Sequence, residues 1–157
     1  MSNIMKATRE LIKARQPFAR DELEIVSVTK RCGGFANDCF ENAYIERKRN
    51  SGAKIVSGWI VAPFDKTRNT TEIVQHWWNI DMNGRHFDTT PFINSNVQYV
   101  SDTDISVYGQ ENYDEIDSCV ASSLLLKDGK FLLVHNINGR LQYRQTKDLS
   151  NECLFAL

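Results

Sequence analysis

The sequence lacks any long hydrophobic run. No segment approaches the roughly 20 apolar residues that a membrane-spanning helix needs, and the first residues lack the apolar core of a secretory signal. The glycine-rich phosphate loop, the dinucleotide fingerprint and the His-Glu-x-x-His helix are also missing. We therefore expect a cytoplasmic protein with no membrane partner and no cofactor.

The sequence also has little net charge. Its 19 basic and 20 acidic residues give a net charge of -1, so no global field favours nucleic acid over other partners. A chain of 157 residues and 18.0 kDa is long enough for one domain with a real core and too short for two ordinary ones. We expect a single domain over residues 1–157 that binds no nucleic acid.

The few cysteines of this chain do not indicate a disulfide framework, because the chain shows no secretory signal. The four cysteines are Cys32, Cys39, Cys119 and Cys153. Without a secretory signal, they are expected to be reduced thiols. A zinc site from Cys32, Cys39, His76 and His86 is an alternative, but its Cys-x6-Cys gap is wider than usual zinc spacing and no second close pair exists. We expect no metal.

Apolar periodicity and turn residues predict an α+β protein. Residues 1–20 carry an amphipathic helix that Pro17 closes. Short β-branched or alternating segments predict strands, at residues 23–28, 54–62, 71–80 and 85–89. Residues 119–146 predict a three-stranded meander with Asp-Gly and Asn-Gly turns. The polar, acidic segment 92–118 predicts irregular structure with a short helix around 113–120.

Cys39 stands at the predicted start of a second helix, over residues 39–49. Asn37 or Asp38 is a suitable N-cap, and the helix runs from acidic to basic residues, the order that complements its dipole. Gly33 and Gly34 allow a sharp bend just before it. A thiol in the first turn meets unpaired backbone N–H groups, which favour thiolate over thiol. We expect Cys39 to be reactive.

His76 and Asp88 flank a predicted hairpin turn whose length decides whether they can cooperate. A two-residue turn would place the two side chains on opposite faces of the sheet. A three-residue loop over 82–84, with Gly84 left-handed in a bulge, would pair Asp81 with Arg85 and put His76 and Asp88 on one face. We expect this second register, because Asp81 and Gly84 suit the loop.

Four segments together resemble the transglutaminase-like branch of the papain-like superfamily. They are Cys-Phe-Glu-Asn-Ala at 39–43, Val-Ser-Gly-Trp at 56–59, His-Trp-Trp-Asn at 76–79 and Asn-Gly-Arg-His-Phe-Asp-Thr-Thr-Pro at 83–91. The resemblance covers about residues 32–91, which it identifies as the catalytic core, and it extends to short bacterial and phage proteins of unassigned function. It implies a catalytic helix packed on an antiparallel sheet, with Cys39 as nucleophile, His76 as base and acid, and Asp88 as the group that orients the imidazole.

Several neighbours compete for roles at this site. Cys32 is a rival nucleophile, because residues 32–36 also fit the family's Cys-x-x-aromatic-Ala pattern; Cys39 is favoured because only it has a cap before it and a helix after it. The backbone N–H of Cys39 is one expected oxyanion donor. Further oxyanion or cleft candidates are Asn37, Asn42, Trp59 and Trp78. Trp77 stands where the family has a small residue and is expected to narrow the cleft.

The expected function is cysteine-dependent acyl transfer on a protein or peptide amide. Deacylation by water would make the protein a peptidase or deamidase, and attack by an amine would make it a transferase. The alternative is a catalytically inactive member of the same fold that acts as a binding or inhibitory module of phage origin. The Trp77-Trp78 pair and the acidic residues at 102–117 motivate this alternative.

Overall fold

The computed structural model describes residues 1–91, 93–103, 123–146, 148–150 and 154, with backbone alone at 135–137. Within these residues, the two α-helices whose bounds are described pack on one large sheet: α1 is Asn3–Arg15 and α2 is Cys39–Arg49. The described part of the chain has nine strands: β1 Glu24–Val26, β2 Val28–Lys30, β3 Lys54–Val61, β4 Thr71–Ile80, β5 His86–Asp88, β6 Gln98–Ser101, β7 Ser123–Lys127, β8 Lys130–Ile137 and β9 Arg140–Thr146.

The sheet is almost wholly antiparallel. Its main order is β1-β6-β3-β4-β7-β8-β9, and β5 pairs with both β4 and β2. Only the β2–β5 pairing is parallel among the described strands. The prediction of an α+β fold with a helix on an antiparallel sheet is therefore confirmed. None of the described helices is long and apolar enough to cross a membrane.

Strands β3 and β4 are buried on both faces and form the centre of the molecule. Trp59 and Ile73 face the side covered by α1 and α2, where they join Ala43 in the larger core cluster. Trp78 and Tyr99 lie on the opposite face in a smaller cluster. Because a fully buried large side chain contributes about 1.5–3 kcal/mol, these two layers fix which face each β4 residue takes.

A buried ion pair closes α1 onto the sheet. The Nε of Arg15, in the last turn of α1, donates to the Oδ2 of Asp102 at 2.7 Å, and its Nη1 donates to the Leu149 carbonyl at 2.8 Å. The same Asp102 oxygen accepts from the Trp59 indole at 3.1 Å. Removing either charge would leave the other buried without compensation, which typically costs about 3–5 kcal/mol.

The hairpin turn between β4 and β5 has the predicted three-residue form. Gly84 is left-handed at φ 76°, its N–H donates to the Asp81 carbonyl at 3.1 Å, and the Asp81 N–H donates to Arg85 at 3.0 Å. In the ladder that follows, Asn79 pairs with Phe87. The predicted register is confirmed, so even-numbered residues of β4 and β5 share a face.

The sheet is open beside the middle of β4. On the side away from β3, β4 pairs with β7 over residues 71–74 and with β5 over residues 79–80. Among the described strands, none pairs with residues 75–78 on that side. Helix α2 covers this gap: the Asn79 side chain donates to the Ala43 carbonyl at 2.9 Å, and Phe40 packs edge-on against Trp77 at 5.5 Å.

Two predicted elements differ from the structure. The segment 23–28 is two strands, because the chain leaves the β1–β6 pairing at Val26 and β2 pairs instead with β5. The prediction of irregular structure throughout 92–118 is wrong at Gln98–Ser101, which forms β6 between β1 and β3. This strand is short and covered on both faces, so it shows no clear alternation. The predicted helix around 113–120 lies outside the described residues.

The C-terminal meander follows the prediction over its described part. β7 turns into β8 through Asp128 and Gly129, and β8 into β9 through Asn138 and Gly139, all four with positive φ. Such two-residue turns match the twist of antiparallel strands.

Gly58 provides a test of the central packing. It pairs with His76 on one side and Ser101 on the other, and a Cβ there would overlap the Val100 carbonyl oxygen. We expect Gly58→Ala to lower the free energy of unfolding by about 1–3 kcal/mol, measured by urea denaturation. The exposed Ser95→Ala change should leave it unaltered, and equal stability of the Gly58→Ala variant would contradict this packing.

Candidate active site

Cys39 is the first helical residue of α2, as predicted. Asp38 occupies the N-cap position, and its carbonyl accepts the first helical hydrogen bond from the Asn42 N–H at 2.9 Å. The Asp38 side chain makes no capping hydrogen bond, and Asn37 adopts a left-handed φ of 61° instead. Helix geometry leaves the N–H of Cys39 without an intrahelical acceptor, so the thiol and an N–H donor lie together.

Asn42 fastens the loop before α2 to the segment after β5. Its side-chain amide exchanges two hydrogen bonds of 2.8 Å with the backbone of Phe35 and donates to the Thr90 hydroxyl at 3.1 Å. The Gly34 N–H donates to the Thr89 carbonyl at 3.1 Å, an approach that a Cβ on Gly34 would block. The loop leading to Cys39 is thereby held against the residues that follow Asp88.

His76 links the thiol and the carboxylate. Its side chain is about 5 % exposed, and its Nε2 lies 2.7 Å from the Oδ2 of Asp88. The Cys39 side chain lies close enough to His76 to raise the pKa of the imidazole, and both residues line one cavity. Because the Asp88 contact occupies Nε2, Nδ1 is the ring nitrogen left for the thiol. The three predicted residues Cys39, His76 and Asp88 therefore come together in the order thiol, imidazole, carboxylate.

The gap in the sheet explains how this contact arises. The His76 ring lies with Trp78 and Tyr99, at centroid distances of 6.2 and 5.9 Å, on the face away from Trp77 and α2. The N-terminus of α2 lies beside the unpaired stretch of β4. No described strand lies between the N-terminus of α2 and this stretch of β4. The Cys39 thiol can therefore reach the His76 ring, although that ring lies on the face of the sheet away from α2.

Asp88 is held by more groups than the sequence suggested. Its Oδ2 accepts from the Tyr99 hydroxyl at 2.7 Å and from the Lys30 ammonium at 3.1 Å, and its Oδ1 accepts from the Thr90 N–H at 2.9 Å. Lys30 also contacts the Tyr99 hydroxyl. Lys30 reaches Asp88 because the two residues are directly paired in the parallel β2–β5 ladder.

The electrostatics of the site favour an imidazolium beside a carboxylate. Burial disfavours the charged form of His76, but its hydrogen bonds to Asp88 and Cys39 and their negative charge outweigh burial and raise its pKa from 6.5 to about 9. Burial also opposes ionisation of Asp88, yet the hydrogen bond and charge of His76 hold the pKa of Asp88 well below its usual range. Burial, followed by the adjacent Asp88 charge, raises the pKa of Tyr99, so Tyr99 stays a neutral donor.

A cavity of about 560 Å³ opens beside Cys39 and His76. Its walls are largely apolar and include Ile60, Val74 and Ile93. A volume of this size lies within the range of ligand-binding pockets, which combine apolar walls with a few polar groups. The thiol and imidazole are therefore accessible to a bound small molecule or peptide segment.

The other predicted donors have different surroundings. Asn37 lines the cavity, whereas the Asn42 amide is occupied by Phe35 and Thr90. Trp59 is fully buried with its N–H on Asp102. Trp78 is buried too, and its N–H donates to the Nδ1 of His86, whose pKa burial lowers. Asn42, Trp59 and Trp78 thus have no free donor for an oxyanion.

Two further expectations about the cleft are settled by position. Trp77 is buried, packs on Phe40 and does not line the cavity, so the expectation that it narrows the cleft is wrong. Cys32 is exposed and lies outside the cavity wall.

Within the described residues no group of three or more His, Cys, Asp or Glu side chains is arranged to hold a metal. Cys119 and Cys153 lie outside the described residues.

Comparisons with known proteins found no matching family model, no matching curated protein and no matching solved structure.

The raised pKa of His76 predicts how stability depends on pH. A folded-state pKa above the unfolded value of 6.5 stabilises the protein fully below about pH 6.5, and this contribution is lost as pH rises through about 9. We expect the free energy of unfolding to fall by up to about 3 kcal/mol across this window, measured by urea denaturation. The His76→Gln variant should lack this slope. If the pH dependence persists in the His76→Gln variant, it comes from other titrating groups and not from His76.

Proposed function

We propose that the protein is a cysteine-dependent acyl-transfer enzyme that acts on an amide bond. Cys39 is the nucleophile, His76 the general base and acid, and Asp88 the group that orients His76. The observation that carries the proposal is the buried His76 ring, whose Nε2 lies 2.7 Å from the Asp88 carboxylate, whose pKa the nearby Cys39 side chain helps to raise, and which lines one cavity with Cys39.

The architecture around the triad supports a papain-like fold of the transglutaminase-like branch. The nucleophile begins a helix that packs on an antiparallel sheet, the histidine lies on a central strand, and the carboxylate lies on the next strand of the hairpin. This order along the chain and in space is the one that the resemblance of residues 32–91 implies. The loop held by Asn42 adds a local reason why Cys39 takes a fixed place.

The reaction begins from a thiolate–imidazolium pair of Cys39 and His76, in which the proton lies on the ring. The thiolate attacks the substrate carbonyl carbon, a C–S bond forms, and the carbonyl π electrons move to oxygen. When the tetrahedral intermediate collapses, the C–N bond breaks and His76 protonates the departing amine. The product is a thioester on Cys39 and a free amine.

The negative oxygen of the intermediate needs hydrogen-bond donors. The N–H of Cys39 is one, since helix geometry leaves it without an intrahelical acceptor and adds the positive end of the helix dipole. The Asn37 side chain is the second donor in this proposal, because it lines the same cavity. Its left-handed backbone carries strain of the kind found at functional sites.

The thioester is then released by a second nucleophile. His76 removes a proton from water or from an amine, which attacks the thioester carbonyl and returns the thiol to Cys39. With water the enzyme is a peptidase or deamidase, and with an amine it is a transferase. Both routes use the same three residues and need no cofactor.

A purely structural role for His76 accounts less well for this arrangement. Taking a charged pair out of water costs several kcal/mol per ion, and the core around Trp78 and Tyr99 would pack with an apolar residue in its place. The cavity also opens at the thiol and imidazole. The tryptophan pair that motivated an inactive binding module is buried in the two core layers instead.

Acylation by p-nitrophenyl acetate tests the proposal without knowledge of the natural substrate. We expect the reagent to place one acetyl group on Cys39, located by peptide mass spectrometry, and to release p-nitrophenolate. The acetyl group should then be lost slowly to water. If the enzyme is a transferase, added glycinamide should accelerate this loss. His76→Ala should slow acetylation by about 10²–10⁴-fold, because the general base is removed. Cys32→Ala is the matched control and should react like the unaltered protein.

Two results would contradict the proposal. Acetylation that survives Cys39→Ala and is lost in Cys32→Ala would assign the nucleophile to Cys32. Acetylation of Cys39 at an equal rate with and without His76 would leave an ordinary thiol, and would favour the inactive binding or inhibitory module of the same fold.

A further inference from the structure

The cavity beside Cys39 extends along strand β4 in one direction. Glu72, Val74 and His76 are alternate residues of β4, so their side chains lie in a row on one face of the sheet, and all three line the cavity. At roughly 3.4 Å per residue, about 14 Å of strand separates Glu72 from His76. The cavity therefore has a reactive end at His76 and a far end at Glu72.

The space between these ends is apolar. Val74 and its cross-strand partner Ile60 form the floor. Ile93 and Val97 also line the cavity and pack against the smaller core cluster. Contact with these side chains removes water from a bound chain, which favours an apolar peptide segment over a charged one at this point.

Glu72 gives the far end a negative charge. Among the described residues that line the cavity, the ionisable ones are Glu72, His76 and Cys39, and none is a lysine or arginine. Glu72 takes part in none of the ion pairs found among the described residues. Arg68, in the nearby hairpin loop, is paired with Asp65 at 3.7 Å instead. The Glu72 carboxylate is thus available to a cation on a ligand.

We infer that the enzyme acts on amides of basic peptides, with a lysine or arginine side chain of the substrate placed against Glu72. Two extended residues and a long basic side chain cover the distance from the reacting carbonyl to Glu72. The aliphatic stem of lysine or arginine suits the apolar floor, and its head meets the carboxylate. This inference rests on the proposed function, since it places the reacting carbonyl at Cys39.

Three matched probes test the inference: iodoacetyl-leucyl-lysine amide and its counterparts with norleucine or glutamate in place of lysine. Each alkylates a thiol with loss of iodide, and only the charge of the last side chain differs. We expect Cys39 to react with the lysine probe about fivefold faster than with the norleucine probe at low concentration, the size of a partly exposed ion pair. The glutamate probe should be the slowest.

Variants assign this preference to Glu72. In Glu72→Gln the three rates at Cys39 should converge, and in Glu72→Lys the order should reverse. Glu22→Gln, an exposed change outside the cavity wall, should keep the preference. Exposed Cys32 in the same molecules reports any preference that comes from the overall charge of the protein.

The outcomes separate the two proposals. Fast alkylation of Cys39 relative to Cys32 by plain iodoacetamide, with equal rates for the three peptide probes, would overturn the basic-peptide inference and leave the proposed function standing. A preference that persists in Glu72→Gln would overturn it as well. Alkylation of Cys39 no faster than that of Cys32 by any reagent would overturn both.

Discussion

The hydrogen bond between His76 and Asp88 is the interaction on which the rest of the site depends. Its 2.7 Å contact with Oδ2 occupies Nε2 and so leaves Nδ1 as the ring nitrogen available to Cys39. The bond can form in only one register of the β4–β5 hairpin. A loop one residue shorter than the bulge closed by Gly84 would place the two side chains on opposite faces of the sheet. A local backbone feature thus decides whether Cys39 has an oriented base.

The His76–Asp88 pair carries charge although both side chains are buried, where a charge is costly. The Asp88 carboxylate collects donors from His76, Tyr99, Lys30 and the Thr90 backbone, which stabilise it against burial. The carboxylate in turn keeps a proton on His76. Lys30 is partly exposed, so one edge of this network meets solvent while the imidazole stays buried. Such an arrangement suits a residue that must take and return a proton.

Local signals in the sequence predicted much of this structure. The bounds of α2 and β4 and the turn at Gly84 were confirmed because acidic-to-basic order along a helix, β-branched runs and turn glycines act within a few residues. Distant pairings were not predicted. Lys30 and Tyr99 reach Asp88 only through the β2–β5 ladder and through β6, a strand with no local signature. The environments that occupy Asn42 and Trp59 are likewise set by tertiary contacts.

The pKa of His76 in the protein and in its Cys39→Ala variant, followed by nitrogen-15 NMR of the ring, tests the assembled triad most directly. The structure predicts a pKa of about 9 in the unaltered protein, and a lower pKa when the thiol is removed, because Cys39 then no longer stabilises the imidazolium. Cys32→Ala should leave the pKa of His76 unchanged. A pKa near the ordinary 6.5, or one that Cys39→Ala does not alter, would contradict the triad.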